Sequence, residues 1–290
     1  MTAPLEQIAT IVLPDLSGKH LAAAAKALGF RHATTLSAGR AIEGVTTAKD
    51  TADARAILAA VKITADVCVQ PAEGRRKSVL VCDMDSTLIG QECIDELADF
   101  AGVKDRVSDI TERAMRGEIG FDGALEERVG LLKGLLVETL QQCFAERITL
   151  NPGARTLAQT MTANGAKTLI VSGGFTFFTQ RVAAACGFAG HQANTLIEAD
   201  GYLTGAVGYP ILGREAKYDA LMEICGGDAS KSIAIGDGAN DLAMIEAAGL
   251  GLAYYAKPAV AAASHSAITC TDLLTALYFQ GYSDDDIVED

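Results

Sequence analysis

Two carboxylates stand two positions apart in the run Val79-Leu80-Val81-Cys82-Asp83-Met84-Asp85-Ser86-Thr87. The apolar residues read as a buried strand, and such a strand gains nothing from unpaired charge at its tip. The carboxyl ends of strands in open α/β sheets are, however, where ligands bind. Two later segments repeat the arrangement. Thr168-Leu169-Ile170-Val171-Ser172-Gly173-Gly174 ends in a hydroxyl and two glycines, and Ser232-Ile233-Ala234-Ile235-Gly236-Asp237-Gly238-Ala239-Asn240-Asp241 ends in two more carboxylates. Each alone is ordinary turn chemistry. In this order along one chain they predict a shared site, built for anions or metals, on one sheet edge.

The elements that must position these residues fall into three regions. Residues 1–75 alternate as strand 7–13, helix 17–28, strands 31–37 and 42–47, helix 52–61 and strand 65–70, the β-α-β-β-α-β order of the ferredoxin-like split unit. From Glu92 to residue 150 the apolar spacing is helical throughout, as in 93–100, 125–132 and 137–144. From Pro152 strands and helices alternate again, which rebuilds a sheet. Asp200-Gly201, between strands at 194–199 and 202–207, is a two-residue hairpin signal. The expected fold is α/β: a doubly wound, Rossmann-like parallel sheet (76–89 and 151–290) with an inserted helical cap (90–150), preceded by a small α+β domain (1–75).

Charge breaks at the first of these boundaries. Residues 1–77 carry 10 Lys/Arg against 7 Asp/Glu, and the remainder 14 against 30. The run Arg75-Arg76-Lys77 at the break reads as a solvated linker, and the acidic end 283–290 as a mobile tail. A net charge of −13 argues against nucleic acid as a partner. No apolar run reaches the length of a membrane span, and the first residues lack a signal-peptide pattern. Seven cysteines without a C-x-x-C pair suit a reducing, cytoplasmic setting. The four histidines do not cluster, so a zinc site or a His-based triad is not expected.

The motif order D-x-D-x-T, S-G-G, Lys, G-D-G-x-N-D resembles the haloacid-dehalogenase-like phosphohydrolases over residues 78–270. Asp83 to Thr87, then Glu92 and Arg128, are similar to the phosphoserine phosphatases among them. The resemblance implies Asp83 as the nucleophile that forms an aspartyl-phosphate. Asp85, aimed to the same side of an alternating strand, would protonate the leaving oxygen and later activate water. Mg2+ would be held by Asp83, the main-chain carbonyl of Asp85 and Asp237, with Asp241 orienting a bound water from further out. Ser172 and the Gly173 N–H would bind the phosphoryl oxygens, and Lys217 would offset their charge. Arg214 is the rival cation, and Lys217 is preferred because a helix over 218–224 opens there.

Substrate choice is expected from the cap. The resemblance implies that Glu92 reads an ammonium and Arg128 a carboxylate, with Phe121 and Met115 as apolar walls and Asn240 touching substrate or Lys217. The implied substrate is O-phospho-L-serine, converted to L-serine and phosphate in the last step of serine biosynthesis. A phosphohydrolase or phosphotransferase for another small acceptor, such as homoserine, is the close alternative, and a serine-sensing regulatory protein is the alternative of another class. The first 75 residues resemble ACT-type domains, with Asp15-Leu16-Ser17-Gly18 at the loop such domains use for an amino-acid ligand. Ser17 as a helix N-cap is the plainer reading of that loop. A homodimer fits this reading as well.

Overall fold

The computed structural model describes residues 6–116 and 118–288, apart from the side chain of Met115. Strands β1 (Gln7–Val12), β2 (Arg31–Ser37), β3 (Ala41–Val45) and β4 (Asp66–Pro71) with helices α1 (Leu21–Ala27) and α2 (Thr51–Ala60) form an antiparallel sheet of order β2-β3-β1-β4. That is the order of the split ferredoxin-like unit. Alternation along the strands buries both faces. Ala9, Ile11 and Val67 pack with Ala24 of α1, Leu28 just after that helix and Leu58 of α2. Val12, Leu36 and Cys68 face the other way, into the main core beside Tyr278, Phe279 and Tyr282. Helix α1 starts later than residue 17. Asp15 Oδ1 accepts from the Ser17 N–H and hydroxyl at 2.9 and 2.5 Å, which turns the chain before the helix, and His20 takes the N-cap position.

The second sheet is parallel, with order β12-β11-β10-β5-β6-β7. Its strands are β5 (Val79–Cys82), β6 (Lys167–Phe175), β7 (Gly190–Asn194), β10 (Ser232–Gly236), β11 (Leu250–Tyr254) and β12 (Ser266–Ile268). Leu80, Cys82, Ile170 and Ile235 fall in one buried cluster, and Val79, Val81, Leu169 and Ala234 in another on the opposite face. Strands covered on both faces must be apolar at every position, which explains the unbroken runs that end at Asp83 and Asp237. Helices α7 (Ala154–Ala163) and α8 (Thr176–Cys186) cover one face, α9 (Arg214–Ile224) and α10 (Leu242–Ala247) the other; α11 (Pro258–Ala263) and α12 (Thr275–Phe279) complete the unit.

Between β5 and α7 the described residues form four helices: α3 (Cys93–Phe100), α4 (Lys104–Met115), α5 (Phe121–Gly130) and α6 (Glu138–Arg147). The hairpin β8 (Leu196–Ala199) to β9 (Tyr202–Val207) turns at Asp200 (φ 53°) and Gly201 (φ 81°), the positive pair a tight two-residue hairpin turn requires. It leans on the cap through Gly134 N–H to Leu203 O at 2.8 Å.

Two sequence expectations fail at the seam between the sheets. Arg75-Arg76-Lys77 is no solvated linker. Arg75 pairs with Glu43 at 2.5 Å, Arg76 lies 4.2 Å over the Tyr282 ring and pairs with Asp286 at 2.8 Å, and the Lys77 N–H bonds Gln280 at 3.0 Å. The tail is likewise docked over its described part. Residues 284–286 form a 3-10 turn, Tyr278 donates to Asp284, and the Val288 N–H reaches Thr160 Oγ1 at 3.0 Å. Every one of these partners is remote in sequence or folded back locally, so composition alone reads both segments as solvated.

Candidate active site

Strand β5 ends at Cys82, and the next residue turns into the space beyond the sheet. The Asp83 N–H still bonds Ile235 O of β10 at 2.9 Å, which fixes the Asp83 backbone against the neighbouring strand. Its carboxylate receives the Met84 N–H at 2.7 Å and the Lys217 ammonium at 2.7 Å. Lys217 is 2 % exposed and lies in the first turns of α9, which starts at Arg214, ahead of the 218–224 segment expected. Its second partner is Asp241 at 2.6 Å. Arg214 is exposed, so Lys217, not its rival, is the cation at the strand ends.

Asp241 is fully buried and uses both oxygens. One holds Lys217; the other accepts the Asp237 and Gly238 N–H groups at 3.2 and 3.0 Å. A Cβ on residue 236 would lie 2.5 Å from that second oxygen, so only glycine fits there. Asp237 accepts from Thr87 at 3.3 Å, and Asn151 ties the Thr87 carbonyl at 2.8 Å. Oxygens of Asp83, Asp237 and Asp241 lie within 4.8 Å of one another. Two carboxylates therefore share one ammonium, and a third, Asp237, stands beside them in a largely dry place. Burial, then the charge of Asp241, push the Asp83 carboxyl well above the usual range against the pull of Lys217. The same two causes bring Asp237 to about 6. Lys217 is held above its ordinary value: burial alone would lower it, but Asp241 and Asp83 outweigh that. The surplus of oxygen ligands and negative charge suits a hard divalent cation.

Asp85 is held apart from that cluster. One oxygen accepts the Cys93 N–H at 2.9 Å and the other the Ser172 hydroxyl at 3.2 Å; burial raises its carboxyl. Ser172 Oγ also accepts the Gly174 N–H at 2.9 Å. The Phe121 ring of α5 stands over Gly173, 3.1 Å from where a Cβ would be, and over Gly213, which seats the cap on the strand ends. On the same helix Glu126 bonds the Tyr209 hydroxyl of the core.

The two residues expected to read substrate sit in cap and approach. Ser86, in the left-handed region at φ 54°, donates to Glu92 at 2.6 Å. The protein packed round Glu92 and the charge of Asp85 bring its carboxyl to about 7, although the residue stays open to solvent. The Arg128 guanidinium bonds Ala124 O at 3.1 Å and Thr111 at 3.4 Å. Burial lowers its pKa, while Asp95 and Glu92 are near enough to oppose that. Asn240 makes no bond to Lys217; its amide oxygen folds over Gly238. The Met115 side chain lies outside the described residues. Sequence reasoning passed over Asn194, which is 1 % exposed and clamps Gly173 O and both sides of Leu212 at 2.7–3.3 Å. Its signal was there: a polar residue ending a strand beside the glycine loop.

The family model for haloacid dehalogenase-like hydrolases matches residues 80–246, the stretch that carries every strand-end group above. A phosphoserine phosphatase of Archaeoglobus fulgidus is 48% identical over 197 residues, 66% of this chain and 57% of that protein. One of a Polaromonas species is 48% identical over 190 residues, 63% of this chain and 80% of its own. The chain belongs to the phosphoserine phosphatase family of haloacid dehalogenase-like hydrolases. It thus spans less than two thirds of the archaeal relative. A crystal structure of a probable phosphoserine phosphatase from Vibrio cholerae, in unliganded form, superposes with a TM-score of 0.78 at 32% identity, covering 96% of this chain and 86% of that one. The likeness to this family member therefore extends over the N-terminal sheet as well as the parallel core.

Proposed function

We propose that the protein is a Mg2+-dependent phosphatase that converts O-phospho-L-serine to L-serine and phosphate through an aspartyl-phosphate at Asp83. The observation that carries this reading is the pairing of Lys217 with Asp83 and Asp241, with a second carboxyl, Asp85, held independently by Ser172 and Cys93. An Asp83 oxygen attacks phosphorus as the bond to the serine oxygen breaks, and Asp85 gives that oxygen its proton. Burial favours the protonated form of Asp85 needed for this. Asp85 then takes a proton from water, whose oxygen attacks the same phosphorus and frees the Asp83 carboxylate. Lys217 and the Ser172 hydroxyl face the charge that gathers on the phosphoryl oxygens. Mg2+ bound by Asp83, Asp237 and the Asp85 carbonyl would supply the remaining positive charge. Glu92 and Arg128 supply opposite charges for the ammonium and carboxylate of the amino acid. Seven cysteines, none of them in a disulfide, fit a reducing cytoplasm, where serine synthesis takes place.

Phosphate release from phosphoserine, phosphothreonine, phosphoglycolate and p-nitrophenyl phosphate, with and without Mg2+, tests the reading. The expected result is metal-dependent preference for phosphoserine, no turnover by Asp83→Asn, and a KM for phosphoserine raised by Arg128→Ala more than that for p-nitrophenyl phosphate. Even activity across the panel would overturn the substrate, and an active Asp83→Asn the chemistry.

A further inference from the structure

We propose that the main-chain amide of Cys93 is a positioning group for the reaction, aiming the Asp85 carboxyl at the leaving oxygen. This rests on the acid and base role given to Asp85 above. The two Asp85 oxygens have different partners: Oδ1 accepts the Cys93 N–H at 2.9 Å and Oδ2 the Ser172 hydroxyl at 3.2 Å. Ser172 is also the hydroxyl that must turn to a phosphoryl oxygen, so the amide is the partner free of any other duty. On the far side Gly174 closes the space, since a Cβ there would sit 2.6 Å from Oδ2. The carboxyl is thus wedged at one oxygen and tethered at the other.

The donor comes from an unusual place. Cys93 is the first residue of α3, after Glu92 in extended conformation (φ −95°, ψ 109°). The first N–H groups of a helix have no acceptor within it, so this one serves Asp85 without weakening α3. Asp85 follows β5, yet its carboxyl takes its bearing from the opening turn of the cap. The Cys93 thiol lies beside the same carboxylate; burial, then the charge of Asp85, hold it well above its usual range, so it stays neutral.

A misaimed acid matters only where the leaving group needs a proton. Serine alkoxide does; p-nitrophenolate does not. The value of kcat/KM reports the steps up to cleavage of the phosphorus–oxygen bond, where this proton moves. Proline removes the amide hydrogen at low cost here. It is favoured at the first helical position, and the extended Glu92 already meets its demand on the preceding residue.

The test compares Cys93→Pro with Cys93→Ala, both lacking the thiol and only the second keeping the N–H. Cys93→Pro is expected to lower kcat/KM for phosphoserine about 100-fold relative to Cys93→Ala, and that for p-nitrophenyl phosphate by less than about threefold. Equal losses on both esters, or no loss on phosphoserine, would overturn the inference. Should circular dichroism show that the proline variant fails to fold, an amide-to-ester replacement at residue 93 in the Cys93→Ala background removes the same hydrogen and is judged by the same ratio. The contrast is between alkyl and aryl leaving groups. A wild-type protein that ignores phosphoserine but cleaves another alkyl phosphate overturns the substrate reading alone, and the ratio on that ester decides this one.

Discussion

Two buried aspartates show how differently one molecule treats the same group. Asp66, 2 % exposed at the seam between the two sheets, accepts five hydrogen bonds: from the Thr269 N–H and hydroxyl on one oxygen, and from the Cys270 N–H and the Thr271 N–H and hydroxyl on the other. Neutral donors from a single loop satisfy its charge completely. Asp241, equally buried, shares one ammonium with Asp83 and lies among further carboxylates whose charge is not balanced. A buried charge with all its lone pairs filled joins parts of a scaffold. A buried cluster left with excess charge is held ready for something that binds.

The strongest way to break this contrast is Lys217→Met. It removes the cation that Asp83 and Asp241 share and should lower kcat/KM about 1,000-fold, with about 3 kcal/mol lost from stability in denaturant unfolding because a buried charge loses its partner. A variant with near-normal turnover would mean that Lys217 serves the fold alone. Asp66→Ala should do the reverse, costing about 3 kcal/mol through the donors it orphans while kcat at 25 °C stays within about twofold. A large fall in kcat with the fold intact would make the seam part of the catalytic apparatus.

The smallest effect is in pH. Without metal, Asp237 titrates at about 6 and Glu92 at about 7, both above the unfolded values near 4. The folded state then holds protons the unfolded chain has released. Their contribution is intact below about pH 4 and fades as pH rises through 6 to 7. Thermal unfolding in chelator should therefore show Tm falling over that window, and added Mg2+ should flatten the fall. An upward slope in chelator would show that the carboxylates are not crowded.

The strand-end residues were legible because burial on both faces forces an apolar run, against which Asp83, Ser172 and Asp237 stand out. The N-terminal unit was legible through its alternation, within a few residues at each end. Helix starts were less so: Ser17 turns the chain through Asp15 instead of capping α1, and α9 begins a turn before Lys217. What could not be read was pairing across distance. Nothing near Arg76 in sequence announces Tyr282 and Asp286, and nothing near Cys93 announces that its amide meets Asp85. The latter is a main-chain contact, to which side-chain identity gives no clue.

The central place of β5 has a temporal consequence. Its neighbours, β6 and β10, lie about 90 and 150 residues further along the chain, and both must arrive before Asp83, Ser172 and Asp237 share one edge. Such distant parallel pairings form late, since the loops between them must close first. Secondary structure and the antiparallel N-terminal sheet can gather while the carboxylates are still scattered and solvated. The turnover proposed above needs all three on one edge, so its recovery during refolding would serve as a clock for the last central pairing.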